Sequence, residues 1–313
     1  MNKSFGITRA NHNVSMEIRK GEVHGLIGEN GSGKSTLISM ISGMAEKDSG
    51  EMFIGDTPYE PSSPVTALES RIGTVVQELG LVDGLSVAAN IFLGRMDRFK
   101  KLNIIDNGAL YNEVESIYKK WNLPRINPRI LAGSLTVEQK KIVELTRALS
   151  IDPELLILDE ITAALSYNTR KILFDIMDKL KASNKSILIV THDLEELLHL
   201  SDEITILRDG KKVTTKRVED LTESSLKQLM VGRDIEGDYY RADSTDDFSS
   251  EVVLKLNNIS DGENFTDVTL ELHKGEIVGL CGLSDAGIHE VAEAVFGVRP
   301  LVAGDITLTK GNR

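Results

Sequence analysis

Residues 28–35 read Gly-Glu-Asn-Gly-Ser-Gly-Lys-Ser, directly after the apolar run 23–27 and at the mouth of 34–41, where apolar residues recur at helical spacing. A glycine-rich loop between a buried strand and a helix is a narrow constraint on a fold. Its glycines allow successive backbone N–H groups to curl around one small anionic volume. The helix that follows aims the positive end of its dipole at the same point. The pattern satisfies G-x-x-x-x-G-K-[ST], so the expected chemistry is a phosphate cradle. Gly28, Glu29, Asn30, Gly31, Ser32 and Gly33 form the loop, and Lys34, Ser35 and Thr36 open the helix. Lys34 is expected to reach the β- and γ-phosphates of a nucleoside triphosphate, and the Ser35 hydroxyl to ligate Mg²⁺.

Such a loop needs a sheet around it. Apolar runs at 72–76, 155–158 and 187–190 read, like 23–27, as strands buried on both faces, which is expected where helices cover both sides of a parallel sheet. Helical patterns at 136–149 and 168–181 lie among them, so the expected class is α/β: a phosphate-loop fold with a parallel core sheet. Residues 79–151 carry mostly helical pattern and read as a helical insertion, with Trp121 as core packing. The run 155–158 ends in two carboxylates. Asp159 is placed for Mg²⁺ through water, and Glu160 for polarising an attacking water as general base. Gln77 follows 72–76, and His192 follows 187–190 with Thr191 between. Gly28, Gln77, Asp159 and His192 thus fall at the carboxyl ends of expected parallel strands, the edge where open α/β sheets bind ligands. They point to one site.

An internal repeat sets the domain organisation. The stretch 14–28 recurs at 268–282, an offset of 254 residues, and Gly33, Gly43 and Gly50 recur in register as Gly287, Gly297 and Gly304. A period this long means two copies of a domain and not a solenoid. The first domain is expected at 1–232, and 252–313 is expected to be the incomplete start of a second. Between them, 233–251 reads as a linker, with acidic residues at 234, 236, 238, 243, 246, 247 and 251 against the single Arg241. At the other end, Lys3-Ser4-Phe5-Gly6 reads as a turn after a strand that lies outside the chain. The balance of 36 basic against 48 acidic side chains argues against broad neutralisation of a nucleic-acid backbone. No run approaches the ~18 apolar residues of a membrane helix. The lone Cys281 excludes an intrachain disulfide framework and any multi-cysteine metal site, and the default compartment is the cytosol.

In order along the chain, KGEVHGLIGENGSGKSTL, VVQELGLVDGLSVAANIFLGR, SLTVEQKKIVELTRALS, ELLILDEITAAL and IVTHDLEEL resemble the segments of the ATP-binding-cassette ATPases. Among these, the chain is similar to the two-domain ATPase subunits of bacterial monosaccharide importers. The resemblance implies ATP and Mg²⁺ as cofactors, with Phe5 stacked on adenine, Gln77 at Mg²⁺ and towards a membrane subunit, and His192 at the γ-phosphate. It also implies integral-membrane permease subunits as partners, fed by an extracytoplasmic sugar-binding protein, and a location on the cytoplasmic face of the membrane. A second cassette domain or copy would complete a composite site, in which the phosphate loop of one domain faces the signature of the other. A soluble tandem cassette acting on ribosomes or DNA, or a nucleotide-binding protein with little turnover, are the alternatives.

Several positions depart from the family pattern. The signature has Thr136, Val137 and Glu138 where serine and glycine are usual, and Glu138 is expected to bring a carboxylate close to a γ-phosphate. Ser166 stands where an aspartate is usual. The second loop has Ile288 at the lysine position and Asp285 at a glycine position, and it reads as a plain strand-to-helix turn with Cys281 small and buried. Turnover by this chain is therefore expected to be weak.

Overall fold

The run Val23–Ile27 (β1) is buried at all five positions because it is a central strand with apolar core on both faces of its sheet. The computed structural model describes residues 1–76, 80–102, 104–232, 248–282 and 286–309 and divides into two compact units, 1–235 and 236–313. In the first unit, β1 belongs to a sheet with Ile72–Val75 (β2), Leu155–Asp159 (β3), Ser186–Val190 (β4), Glu203–Arg208 (β5) and Lys211–Arg217 (β6). Among the described residues the order across it is β6-β5-β1-β4-β3-β2, and every pair is parallel except β5 with β6. Successive residues of a strand point to opposite faces. Leu156 and Leu158 accordingly join one core cluster while Ile157 joins the other. The continuous apolar runs of the sequence have this origin.

The helices Lys34–Ile41 (α1), Val137–Leu149 (α2) and Tyr167–Ala182 (α3) follow the expected patterns to within a residue or two. The region 79–151 is largely helical as expected, and Trp121 is buried at the end of the helix Asn107–Trp121. It also holds a small ladder, Lys100–Lys101 against Ile104–Ile105, that helical periodicity does not announce.

One expectation is corrected. Lys3–Phe5 is not a turn after an external strand but a strand itself, paired antiparallel with Thr8–Asn11 across Gly6 and Ile7. The expected parallel core, β1 to β5, carries one antiparallel edge strand, β6, which folds back on β5 through Asp209 and Gly210. The sequence of β6, KKVTTKR, lacks a continuous apolar run because it lies at a sheet edge, where lysines also discourage pairing with other chains.

In the second unit Val268–His273, Val252–Ser260 and Ala303–Leu308 form an antiparallel sheet in that order, with a helix at Ile288–Phe296. The repeat is written into its backbone. Gly21, Gly33, Gly43 and Gly50 all have positive φ, as do their counterparts Gly275, Gly287, Gly297 and Gly304. The strands differ, however. Residues 277–281, the counterparts of β1, lie in no strand, and Ile277 is 83% exposed. β1, by contrast, pairs on both sides, with β4 and β5.

Candidate functional site

The phosphate loop is shaped by close approach. A Cβ on Gly28 would lie 2.2 Å from the Leu207 carbonyl oxygen and 2.4 Å from Ser32 Oγ, so no other residue fits there. Gly33 has φ +98°, and a Cβ on it would lie 2.3 Å from the Ala10 carbonyl oxygen. Two hairpins hold the loop from outside. Asn11 Nδ2 donates to the Gly33 carbonyl at 3.2 Å, Gly210 N donates to the Ser32 carbonyl at 3.2 Å, and His12 N donates to the Gly210 carbonyl at 2.7 Å. Gly31 faces open space, Glu29, Asn30 and Ser35 are exposed, and Ser32 is buried with its hydroxyl unpartnered. The N-cap of α1 is Gly33, which carries no capping side chain, so the first turn keeps its affinity for an external anion.

Lys34 is folded onto this loop, its Nζ donating to the carbonyls of Gly28 at 2.7 Å and Glu29 at 3.1 Å. Burial lowers its pKa, while the charges of Glu160 and Asp159 work the other way. Asp159 ends β3 and is 5% exposed. Burial, and then the charge of Glu160, push its carboxyl up to about 6 against the pull of Lys34, Lys141 and His192. Glu160 takes φ +52°, a left-handed conformation unusual for a branched-free acidic side chain, and its N–H is bonded to the Val190 carbonyl at 2.9 Å. The carboxylate turns towards β4's end, where Glu160 Oε1 lies 2.5 Å from His192 Nε2. A cavity of about 550 Å³ is lined by Gly28, Glu29, Asn30, His192 and Met230.

The carboxyl edge of the sheet therefore brings together the loop, Lys34, Asp159, Glu160 and His192. Phe5 lies on the strand Lys3–Phe5, 55% exposed, with Lys3 Nζ 5.4 Å from its ring centroid. Thr36 is half-buried in the first turn of α1. Gln77 and Asp285 lie outside the described residues.

Two features escape a reading of local pattern. Lys141 and Glu144 form a buried ion pair on α2, 3.1 Å apart. Lys141 Nζ donates to the Val76 carbonyl and Glu144 Oε1 accepts from Gly80 N at 2.5 Å, so the pair grips both flanks of the segment that holds Gln77. Their spacing of three on a helix was the available signal. The second feature is Glu138, whose carboxylate is not left facing outward but accepts hydrogen bonds from Ser166 in its own unit.

The second loop departs from expectation in its details. Cys281 is exposed, not buried, because no strand encloses it. Ile288, the counterpart of Lys34, lies beside Gly282: a Cβ there would be 3.4 Å from Ile288 Cδ1.

Residues 11–163 match the family model described as ABC transporter. The first unit has the fold of an ATP-binding cassette and holds the stretch that matches this family model. The chain is 38% identical over 309 residues to a galactose/methyl galactoside import ATP-binding protein of Clostridium perfringens, covering 98% of this chain and 59% of that protein. It is 36% identical over 308 residues to a ribose import ATP-binding protein of a Ruegeria species, covering 98% of this chain and 60% of that one. The chain thus spans about three-fifths of the length of these curated relatives. A nucleotide-free cassette from an ABC transporter superposes with TM-score 0.60 at 26% identity, over 74% of this chain and 92% of its own. A cassette of an ABC transporter in its ADP conformation gives TM-score 0.60 at 25% identity, over 74% and 96%. No helix among the described residues is long and apolar enough to cross a membrane.

Proposed function

We propose that the first unit binds Mg-ATP and hydrolyses it, and that the energy drives import of a monosaccharide through a separate membrane permease. The observation that carries the hydrolytic part is the 2.5 Å contact between Glu160 and His192 beside the cavity that the phosphate loop lines. In this reading the N–H groups of 28–33 and of the first turn of α1, with Thr36, hold the phosphates, and Lys34 leaves the loop carbonyls for the β- and γ-phosphates. Phe5 stacks on adenine. Glu160 is the general base for water, and His192 holds the Glu160 carboxylate and meets the γ-phosphate. The donor set fits a hard cation: a buried carboxylate, Asp159, whose charge lacks solvation, and the exposed hydroxyl of Ser35. Gln77 would add a third oxygen. Bound Mg²⁺ neutralises charge on the β- and γ-phosphates.

Sugar import is supported by the names of the relatives, and a permease partner would place the protein on the cytoplasmic face of the membrane, fed indirectly by an extracytoplasmic sugar-binding protein. The second unit, in this reading, is the start of a degenerate second cassette that holds no nucleotide of its own, since Ile288 supplies no cation. Copurification of the chain with integral-membrane permease subunits tests the transport reading. Recovery with ribosomes or DNA and without membrane subunits would overturn it in favour of a soluble tandem cassette.

A further inference from the structure

Glu138 and Ser166 are 28 positions apart and meet in the fold. Glu138 lies in the first turn of α2, and Ser166 is the N-cap of α3. The Ser166 side chain does not cap its own helix. Instead Glu138 Oε1 accepts from Ser166 N at 2.9 Å and from Ser166 Oγ at 2.7 Å, and Ser166 Oγ lies 3.0 Å from Thr169 Oγ1. One carboxylate thereby sits at the N-termini of two helices at once, where both dipoles favour negative charge. Burial opposes that charge, but hydrogen bonds from Thr169 and Ser166 outweigh it and hold the Glu138 carboxyl below its ordinary range.

The contact lies close along the chain to the proposed base. From Glu160 the backbone runs through Ile161 and a single 3-10 turn, Thr162–Ala164, to Leu165 and Ser166. Ile161, Thr162 and Leu165 are buried, and Arg170 Nη2 donates to the Thr162 carbonyl at 3.0 Å. The segment has little freedom between its two ends. At one end the Glu160 N–H is fixed to Val190, and at the other Ser166 is fixed to Glu138.

We propose that Glu138 is a positioning residue: through Ser166 and Thr169 it latches the N-terminus of α2 to the turn that carries Glu160, and so sets the orientation of the base. The inference rests on the reading of the first unit as an ATP hydrolase for its effect on rate, but the latch itself does not. Removing the acceptor in Glu138→Ala frees the 161–166 segment. Glu138→Gln keeps a carbonyl oxygen that accepts both bonds. Ser166→Asp sets a second carboxylate against the first, and like charges at that distance repel. Adding Glu138→Ala to Ser166→Asp removes the clash and leaves an aspartate N-cap, a good acceptor for the first turn of α3.

Two measurements on the full chain test this. Amide exchange at Ser166 is read first, without nucleotide: it should accelerate about tenfold or more in Glu138→Ala and return towards the native rate in Glu138→Gln. Unchanged exchange in Glu138→Ala overturns the latch, whatever the enzyme does. Steady-state phosphate release follows. With an active native chain, kcat should fall about fivefold or more in Glu138→Ala and in Ser166→Asp with KM for ATP little changed, and recover in Glu138→Gln. The double variant should lose no more than Glu138→Ala alone, because the two residues act through one contact; a loss equal to the product of the two single losses overturns the pairing. A native chain that shows protected Ser166 but no phosphate release defeats the hydrolase reading and with it the positioning role.

Discussion

Asp159 and Glu160 are neighbours in sequence with opposite surroundings. Asp159 ends a buried strand and its carboxyl is pushed up to about 6, while Glu160 turns out of the strand at φ +52° to meet His192. Because the folded value of Asp159 lies above its ordinary 3.8, the native state holds that proton longer than the unfolded chain does. Stability from this group is therefore present at low pH and lost as pH rises through about 6. Asp159→Asn should flatten the stability profile across that window and raise the stability of the nucleotide-free protein at pH 7, as urea unfolding at pH 4.5 and 7 would read, while removing Mg²⁺-dependent ATP binding. Lys34→Ala should weaken ATP binding about 10- to 100-fold, the value of a charge-assisted contact; titration with a fluorescent ATP analogue reads it, and unchanged affinity would contradict the role given to Lys34. The loop, the paired acids and His192 were legible in the sequence because each follows an apolar strand. The raised pKa, the left-handed Glu160 and the folding of Lys34 onto Gly28 were not, because they depend on what packs around the strand ends.

At the scale of elements, the four strands β1 to β4 were legible because a strand buried on both faces writes an unbroken apolar run. The edge strand β6 and the hairpin Lys3–Phe5 with Thr8–Asn11 were not, since exposed strands carry polar residues that resemble loops. The contacts of α2 were hidden for a different reason. Its period is plain, but Lys141, Glu144 and Glu138 act on Val76, Gly80 and Ser166, whose proximity no local pattern encodes. Glu144→Ala should cost about 3–5 kcal/mol in chemical unfolding, because it removes the carboxylate that pairs with a buried lysine. Replacing both by apolar residues of similar size, Lys141→Met with Glu144→Leu, should restore much of that loss while leaving the flanks of the Gln77 segment without their clamp.

For the whole molecule, the repeat at 254 residues gives two units with matching glycine conformations and unequal loops. Lys34 has Ile288 as its counterpart, so calorimetry with Mg-ATP should find about one strong site per chain, and Lys34→Ala should weaken that site. Two sites of equal affinity would mean that the second loop binds phosphate without its cation. The central claim is that the first unit hydrolyses ATP with Glu160 as base. It is tested most directly by phosphate release from the native chain and from Glu160→Gln at matched, saturating Mg-ATP occupancy. The native chain should release phosphate slowly but measurably, and Glu160→Gln about 10²- to 10⁴-fold more slowly with ATP affinity unchanged. Equal rates for the two proteins at equal occupancy would contradict it.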